Sequence, residues 1–272
     1  MTGKLTVLEQ YNNAPKLWKI KLLTFSILLF LLVWSLIGVE YQGFSDLGGE
    51  YVRRIIVSMV QPTPKYLFGL EGSRASGVPV LIIETLGIAF LGTLIGAMLS
   101  LPFAFLAARN ISPRLVNFVG QFGVTGIRVF PAFVIALIFV RIVGLNAFAG
   151  VLTISITSIG MITKLFVEAI EDIDKGVVES LDASGCSALQ KIRYGILPQL
   201  SNKLISTAIY RFEINIKNAS ILGLVGAGGI GTPLMWAVGA HRWSDASAYL
   251  IGLIITVLIV ETFSTRIRAK LS

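Results

Sequence analysis

A chain of 272 residues that is 54% hydrophobic and only 14% charged, with long apolar runs, excludes the soluble fold classes and reads as an integral membrane protein. Its net charge of +8, from 23 Lys and Arg against 15 Asp and Glu, would suggest nucleic acid on a soluble domain; here it is a topological signal, because basic residues concentrate on cytoplasmic flanks. The single cysteine, Cys186, excludes an intramolecular disulfide and a cysteine-clustered metal site.

Residues 1–21 carry Lys4, Lys16, Lys19 and Lys21 against Glu9 and are expected inside the cell. The first apolar run, 22–39, comes late and has no small-residue cleavage site after it, so it reads as a retained anchor. Residues 40–78 are mostly polar and should lie outside, with an interfacial helix over 51–60 whose Val52, Ile55, Ile56 and Met59 share a face and which Pro62 and Pro64 end. That segment either forms a rim for a partner or shields the bundle from headgroups. A second span, 79–107, returns inward with Gly92 and Gly96 spaced for close helix approach. Residues 115–143 hold Arg128 and Pro131 near their middle and should be kinked or broken there. Asn146 marks an outer turn, and 148–166 goes back inward.

The stretch 168–199 is the long polar interruption of the apolar second half. Asp172 and Asp174 are helix starters, and Val177, Val178 and Leu181 fall at helical spacing, which predicts a short amphipathic helix to about Ser184. Gly185 can end it in the left-handed conformation. Ser187 and Gln190 stand in capping-box relation, Leu189, Ile192 and Ile196 line one face of a second helix, and Pro198 is expected to stop it.

Beyond Pro198 the chain is too charged for a simple span. Arg211, Glu213 and Lys217 would each cost roughly 2.5 to 3.5 kcal/mol at mid-bilayer, against about 0.3 to 0.6 returned by each large apolar neighbour, so they must face protein, water or the interface. Glu213 and Lys217 are spaced to pair. Residues 246–263 form the last span, and Arg266, Arg268 and Lys270 hold the carboxyl terminus inside. In this six-span arrangement the inner segments hold fourteen Lys and Arg and the outer ones six, which sets both termini in the cytoplasm of a multi-pass cell-membrane protein.

Glu179, Gly185 six residues on, and Leu197-Pro198 beyond it resemble the EAA loop of ABC importer permeases. Ser180 and Leu181 depart from that pattern by replacing its two alanines, and Gly195 stands where an isoleucine is common. The runs LPFAFLAARN, GMITKLFVEAIEDID and YRFEINIKNASILGLVGAGGIG narrow the resemblance to the permease subunit of phosphonate ABC importers, over residues 79–266.

The resemblance implies an all-α integral membrane protein of about six transmembrane helices with a cytoplasmic EAA-type coupling hairpin, the type I ABC importer permease fold. Residues 1–78 would form a tail, first helix and outer segment, 79–266 the permease domain, and 267–272 a cytoplasmic tail. It implies docking on an ATPase through Glu179, Ala183, Gly185, Leu197 and Pro198. The implied partners are a second permease, identical or paralogous, two ATP-binding subunits, and an extracytoplasmic binding protein delivering phosphonate, phosphite or phosphate. Such a subunit needs no cofactor and no nucleic acid, and does no covalent chemistry. An ion-coupled secondary transporter of a small anion is the alternative, and a membrane-embedded enzyme a further one; neither the inverted repeats of the first nor the clustered acids and histidines of the second is visible.

Gly226 to Gly231 match G-x-G-x-x-G, but no alternating strand and helix surrounds them and no acidic residue stands about 20 positions on, so close packing or an unwound turn is the better reading. His241 beside Trp243 reads as interfacial, and Glu84 as a partner of a basic residue or of headgroups. Arg128, Arg211, Glu213 and Lys217 either line a translocation route for an oxyanion or hydrogen-bond helix ends and a dimer partner.

Overall fold

The computed structural model describes residues 18–38, 48–69 and 77–271; Lys4 and Lys16 of the amino-terminal tail, and Arg74 of the outer segment, lie outside the described residues. Among the described residues every regular element is helical, and the chain divides into two units, Met1–Val52 and Arg53–Ser272. In the first unit, α1 (Trp18–Gly38) is apolar all round, all its side chains are exposed, and it is about 31 Å long. A helix with no polar face and no buried face has lipid as its natural surrounding. The unit boundary falls inside α2 (Gly48–Val60), which is amphipathic as expected and stops ahead of Pro62.

The second unit continues with α3 (Pro64–Leu67), α4 (Val78–Ala107), α5 (Arg114–Val129), α6 (Ala132–Val143), α7 (Ala147–Glu171), α8 (Lys175–Ala183), α9 (Ala188–Gln190), α10 (Leu197–Leu222), α11 (Gly231–Gly239) and α12 (Trp243–Leu271). Its centre is the pair α4 and α7, the most extensive helix contact in the protein. The two small residues read from the sequence cause it: a Cβ on Gly92 would meet Ile154, and one on Gly96 would stand 2.6 Å from the Ser158 Cβ and 3.0 Å from the Ser155 carbonyl. Backbones come this close only where no side chain intervenes.

The expected break at Pro131 is present, with α5 and α6 bent by 82° across Phe130 and Pro131. The Asn117 and Gln121 amides donate to the Ala107 carbonyl and fix α5 against the end of α4. Among the described residues four helices are long and apolar enough to cross a membrane, and the bent pair counts as a fifth if it is one span. The sixth expected span is α10, whose 26 residues reach about 39 Å but whose charges remove it from any hydropathy count.

The helix ends fall into two groups. The Arg109 backbone N–H donates to Glu171 Oε1 at 2.8 Å and Asn110 Nδ2 to the Ile170 carbonyl at 2.7 Å, so the end of α4 lies beside the end of α7, next to α8. At the opposite end the glycine loop 226–231 meets the start of α4. Three apolar clusters fill the bundle between them: Phe166, Ile170, Ile196 and Leu204 at the hairpin end, Ile88, Ile154 and Ile216 in the middle, and Val78, Ile230 and Tyr249 at the glycine-loop end. The Thr63 hydroxyl donates to Asp245 Oδ1 at 2.6 Å and Ser247 Oγ to the Met59 carbonyl at 2.8 Å, tying residues 59–67 to the start of α12.

Candidate functional site

The polar interruption folds as a hairpin, and local sequence dictates most of it. Asp174 caps α8, its Oδ1 accepting from the Gly176 N–H at 2.9 Å. At the other end Gly185 takes φ +71, its N–H donates to the Asp182 carbonyl at 2.9 Å, and the Cys186 N–H to the Leu181 carbonyl at 3.0 Å. These are the two bonds of a Schellman ending, which satisfies carbonyls that α8 would otherwise leave open. The capping box is also formed: the Ser187 N–H donates to Gln190 Oε1 at 2.8 Å, and Ser187 Oγ accepts from the Gln190 N–H at 3.4 Å. An ion pair between Asp182 and Lys191 closes the elbow.

Two expectations fail in the second arm. Pro198 does not stop it: the chain passes from α9 through a π-helical turn, Lys191–Ile196, straight into α10, with Pro198 in the first turn of that helix. The Leu197 N–H bonds back to the Ile192 carbonyl, five residues away, so a proline without an N–H is accommodated where the register widens. The wider turn also breaks the face read from the sequence: Ile196 is buried and Ile192 packs against the core, while Leu189 is exposed. Tyr194 is exposed too, with Arg193 stacked 5.7 Å from its ring centroid.

The departures from the family pattern are physically linked. A Cβ on Gly195 would lie in the space taken by Leu181 Cδ1, so the large residue on α8 and the missing side chain on the π-turn are one fit. The exposed Glu179 makes no ion pair or hydrogen bond among the described residues, and Ala183 and Pro198 are also exposed. These residues of the presumed docking surface are therefore left open.

The four charged residues of the expected route separate into three places. Arg211 is buried, and its Nε donates to Ser158 Oγ at 3.4 Å. Asn215, one turn on and fully buried, donates through Nδ2 to both Ser158 Oγ and Thr93 Oγ1 at 2.8 Å, making a polar seam across α4, α7 and α10. Among the described residues the Arg211 guanidinium meets no carboxylate. Arg128 is exposed and lies over Gly160. Residues two apart on a helix point about 200° apart, so Arg128 at Gly160 and Arg211 at Ser158 approach α7 from opposite faces.

Glu213 and Lys217 form the third place, and their expected pair is present as the longest contact of a larger row. Glu213 Oε2 accepts from Arg268 Nη2 at 3.0 Å, Lys217 Nζ lies 3.4 Å from Glu261 Oε2, and the contact between Glu213 and Lys217 themselves is 4.0 Å. The charges of α10 are thus taken up by α12 in an alternating row, Arg268, Glu213, Lys217, Glu261. Sequence reasoning placed Arg268 in a tail and passed over Glu261; their seven-residue spacing, two helical turns on an otherwise apolar span, was the available signal.

At the opposite end, residues Gly226, Gly228 and Gly229 have φ of +79, +84 and +71, an unwound turn that non-glycine residues would not hold. The Gly229 N–H donates to Glu84 Oε1 at 3.0 Å and the Ile230 N–H to Thr85 Oγ1 at 2.9 Å. Glu84 therefore binds backbone and, among the described residues, no basic side chain. Glu84, the three glycines, Asn146 and Trp236 line a cleft of about 520 Å³. His241 takes φ +56 and stands edge-on to Trp243.

A long-helix bundle with a broken span and a polar hairpin continuous with a charged helix has the build of a membrane transport component. The chain belongs to the family described as binding-protein-dependent transport system inner membrane component, whose model matches residues 100–272. It is accordingly a multi-pass subunit of an ABC importer in the cell membrane, working with ATPase and substrate-binding partners, and is not itself an enzyme; this sets aside the secondary-transporter reading. It is 37% identical to the phosphite transport system permease protein PtxC of Stutzerimonas stutzeri over 69% of this chain and 68% of that one. It is 32% identical to the putative phosphite transport system permease protein HtxC of the same organism, over 88% and 82%. In fold it is similar to a chain of the MetNI methionine ABC transporter in inward-facing conformations, at 20% identity and a TM-score of 0.62, covering 70% of this chain and 94% of that one.

Proposed function

We propose that this chain carries a tetrahedral phosphorus oxyanion, phosphonate, phosphite or phosphate, across the cytoplasmic membrane, driven by two ATPase subunits docked on a permease pair and supplied by an extracytoplasmic binding protein. The observation that carries the reading is the hairpin: a capped, cross-braced elbow with an open Glu179, joined without interruption to the charged helix α10. A rigid arm of this kind transmits displacement from a docked subunit to the bundle. Glu179, Ala183, Gly185, Leu197 and Pro198 form the docking and transmission unit, and the hairpin end faces the cytoplasm, a reading that the distribution of basic residues supports. Relatives named for phosphite transport support the substrate class.

Arg211 is the residue best placed to make the route tolerable to an anion, since a buried guanidinium without a carboxylate can be met transiently by a passing oxyanion. Arg128, exposed on another face of α7, and Glu213 with Lys217, spent on α12, have weaker claims. The deciding experiment is uptake of labelled phosphite, phosphate and methylphosphonate by cells that lack other importers for them and that express this chain with its ATPase and binding protein. ATP-dependent accumulation of at least one is expected, lost in Arg211→Gln with binding-protein-stimulated hydrolysis preserved. Accumulation of none of the three overturns the substrate class, and unchanged uptake in Arg211→Gln removes that residue from the route.

A further inference from the structure

Between α7, α10 and the end of α12, at the hairpin end, lies a cleft of about 650 Å³. One stripe of α10 lines it, Gln199, Asn202, Lys203, Ser206 and Tyr210, at spacings of three and four residues that keep them on one face for about 16 Å. Arg268 enters from α12, held by Glu213 Oε2 at 3.0 Å and set 5.2 Å from the Tyr210 ring centroid. Among the described residues no carboxylate lines the cleft. The side chains of Gln199, Asn202, Lys203 and Ser206 make no hydrogen bond or ion pair among the described residues, so two cations and several unspent donors converge on one space.

We propose that this cleft is a low-affinity binding site for a phosphorus oxyanion on the hairpin side of the bundle. The chemistry is selective: ammonium, guanidinium, amide and hydroxyl donors, around a space that no carboxylate of the described residues lines, suit an acceptor-only, multiply oxygenated anion. Arg268 is already oriented by Glu213 and Tyr210, which lowers the ordering cost of the first contact. The volume leaves room for the anion to keep part of its hydration, so binding is weak and release easy. Because the stripe begins one residue after Pro198, any displacement of the hairpin moves the site. As the last station of a transport route the proposal rests on the substrate class above; as an oxyanion site it rests on the cleft alone.

Free anion and lipid headgroup share this chemistry, and the test separates them. The intact permease and ATPase complex is placed in phosphatidylcholine nanodiscs and titrated with labelled inorganic phosphate. Saturable binding is expected, weakened roughly tenfold in Lys203→Gln, the loss of one charge-assisted contact, and less in Ser206→Ala. Arg268→Gln also disturbs Glu213, so the two α10 variants carry the decision. In nanodiscs containing phosphatidylglycerol, persistence of phosphate binding assigns the site to the free anion. Suppression of binding, with more phosphatidylglycerol co-extracted from the unmodified complex than from Lys203→Gln, assigns it to the headgroup. Phosphate binding that is absent or unchanged in Lys203→Gln, with no difference in retained lipid, overturns the site. Uptake of phosphite without such binding leaves the substrate class standing and defeats the site; binding without uptake of any phosphorus oxyanion does the reverse.

Discussion

Changing Leu181 and Gly195 separately and together tests whether the hairpin works as one packed unit. Gly195→Ile forces a side chain into the place of Leu181 Cδ1 at a buried position of the π-turn. Overpacking costs about 1 to 3 kcal/mol, offset by about 0.5 to 1 kcal/mol for removing a glycine from a helix, which leaves roughly 0.5 to 2 kcal/mol against the closed hairpin. Leu181→Ala empties the same space from the other side. Leu181 is only half-buried, so about 1 to 2 kcal/mol is lost rather than the larger cost of a core leucine. In Leu181→Ala/Gly195→Ile the new isoleucine fills the vacated volume, and a coupling of about 1 to 2 kcal/mol is expected, a factor of roughly five to thirty in hairpin closure. The assay is retention of the ATPase subunit on detergent-solubilised permease as ATPase concentration is varied. Each single change should raise the half-saturation concentration by up to about that factor, and the double change should return it to within about twofold of the unmodified protein. A double variant whose shift equals the product of the single shifts refutes the idea that the two departures compensate.

Gly185→Val should reduce uptake while the protein remains membrane-inserted, and Gly185→Asn should be tolerated, because a Cβ there meets nothing within 4 Å and only the φ of +71 penalises a side chain; equal uptake by both variants counts against this. Glu213→Gln removes the anion that Arg268 reaches, and should lower the thermal unfolding midpoint of the purified complex by several degrees, whereas Lys217→Gln, half-exposed, should shift it far less; similar shifts would show that the row is not centred on Glu213. With Cys186 replaced by serine, a cysteine at Ala240 should react with an impermeant maleimide added to intact cells and one at Ser187 should react only after lysis; labelling of Ser187→Cys from outside reverses the orientation.

What the sequence made legible was local. Gly185, Ser187 with Gln190, and Asp174 act on backbone groups within a few residues, so their chemistry is written in adjacent letters and appears in the structure as expected. Gly92 with Gly96, and Pro131, were readable for the same reason: each changes what the backbone beside it can do. The misses are matters of distance and register. Arg268 and Glu261, more than forty residues on, stand nearer to Glu213 and Lys217 than these two stand to each other, and helical spacing along α10 showed only the local pair. The π-turn at 191–196 has no residue signature that distinguishes it from ordinary helix, and with it the chain runs through Pro198 while Leu189 stays outside the buried face. The cleft beside Lys203 was invisible because its other wall is α12.

The glycine loop resembles a phosphate cradle in its letters, yet two of its donors are committed: the Gly229 N–H to Glu84 and the Ile230 N–H to Thr85. The chain thus supplies its own resident carboxylate where a loop of this type would otherwise hold a ligand's oxygen. An anion at that loop would meet the Glu84 carboxyl group and find those donors occupied, so its hold there would be weak. For the route proposed above weak holding is an advantage, because a cargo bound tightly on the way would inhibit its own passage, and discrimination is better left to a partner that can let go.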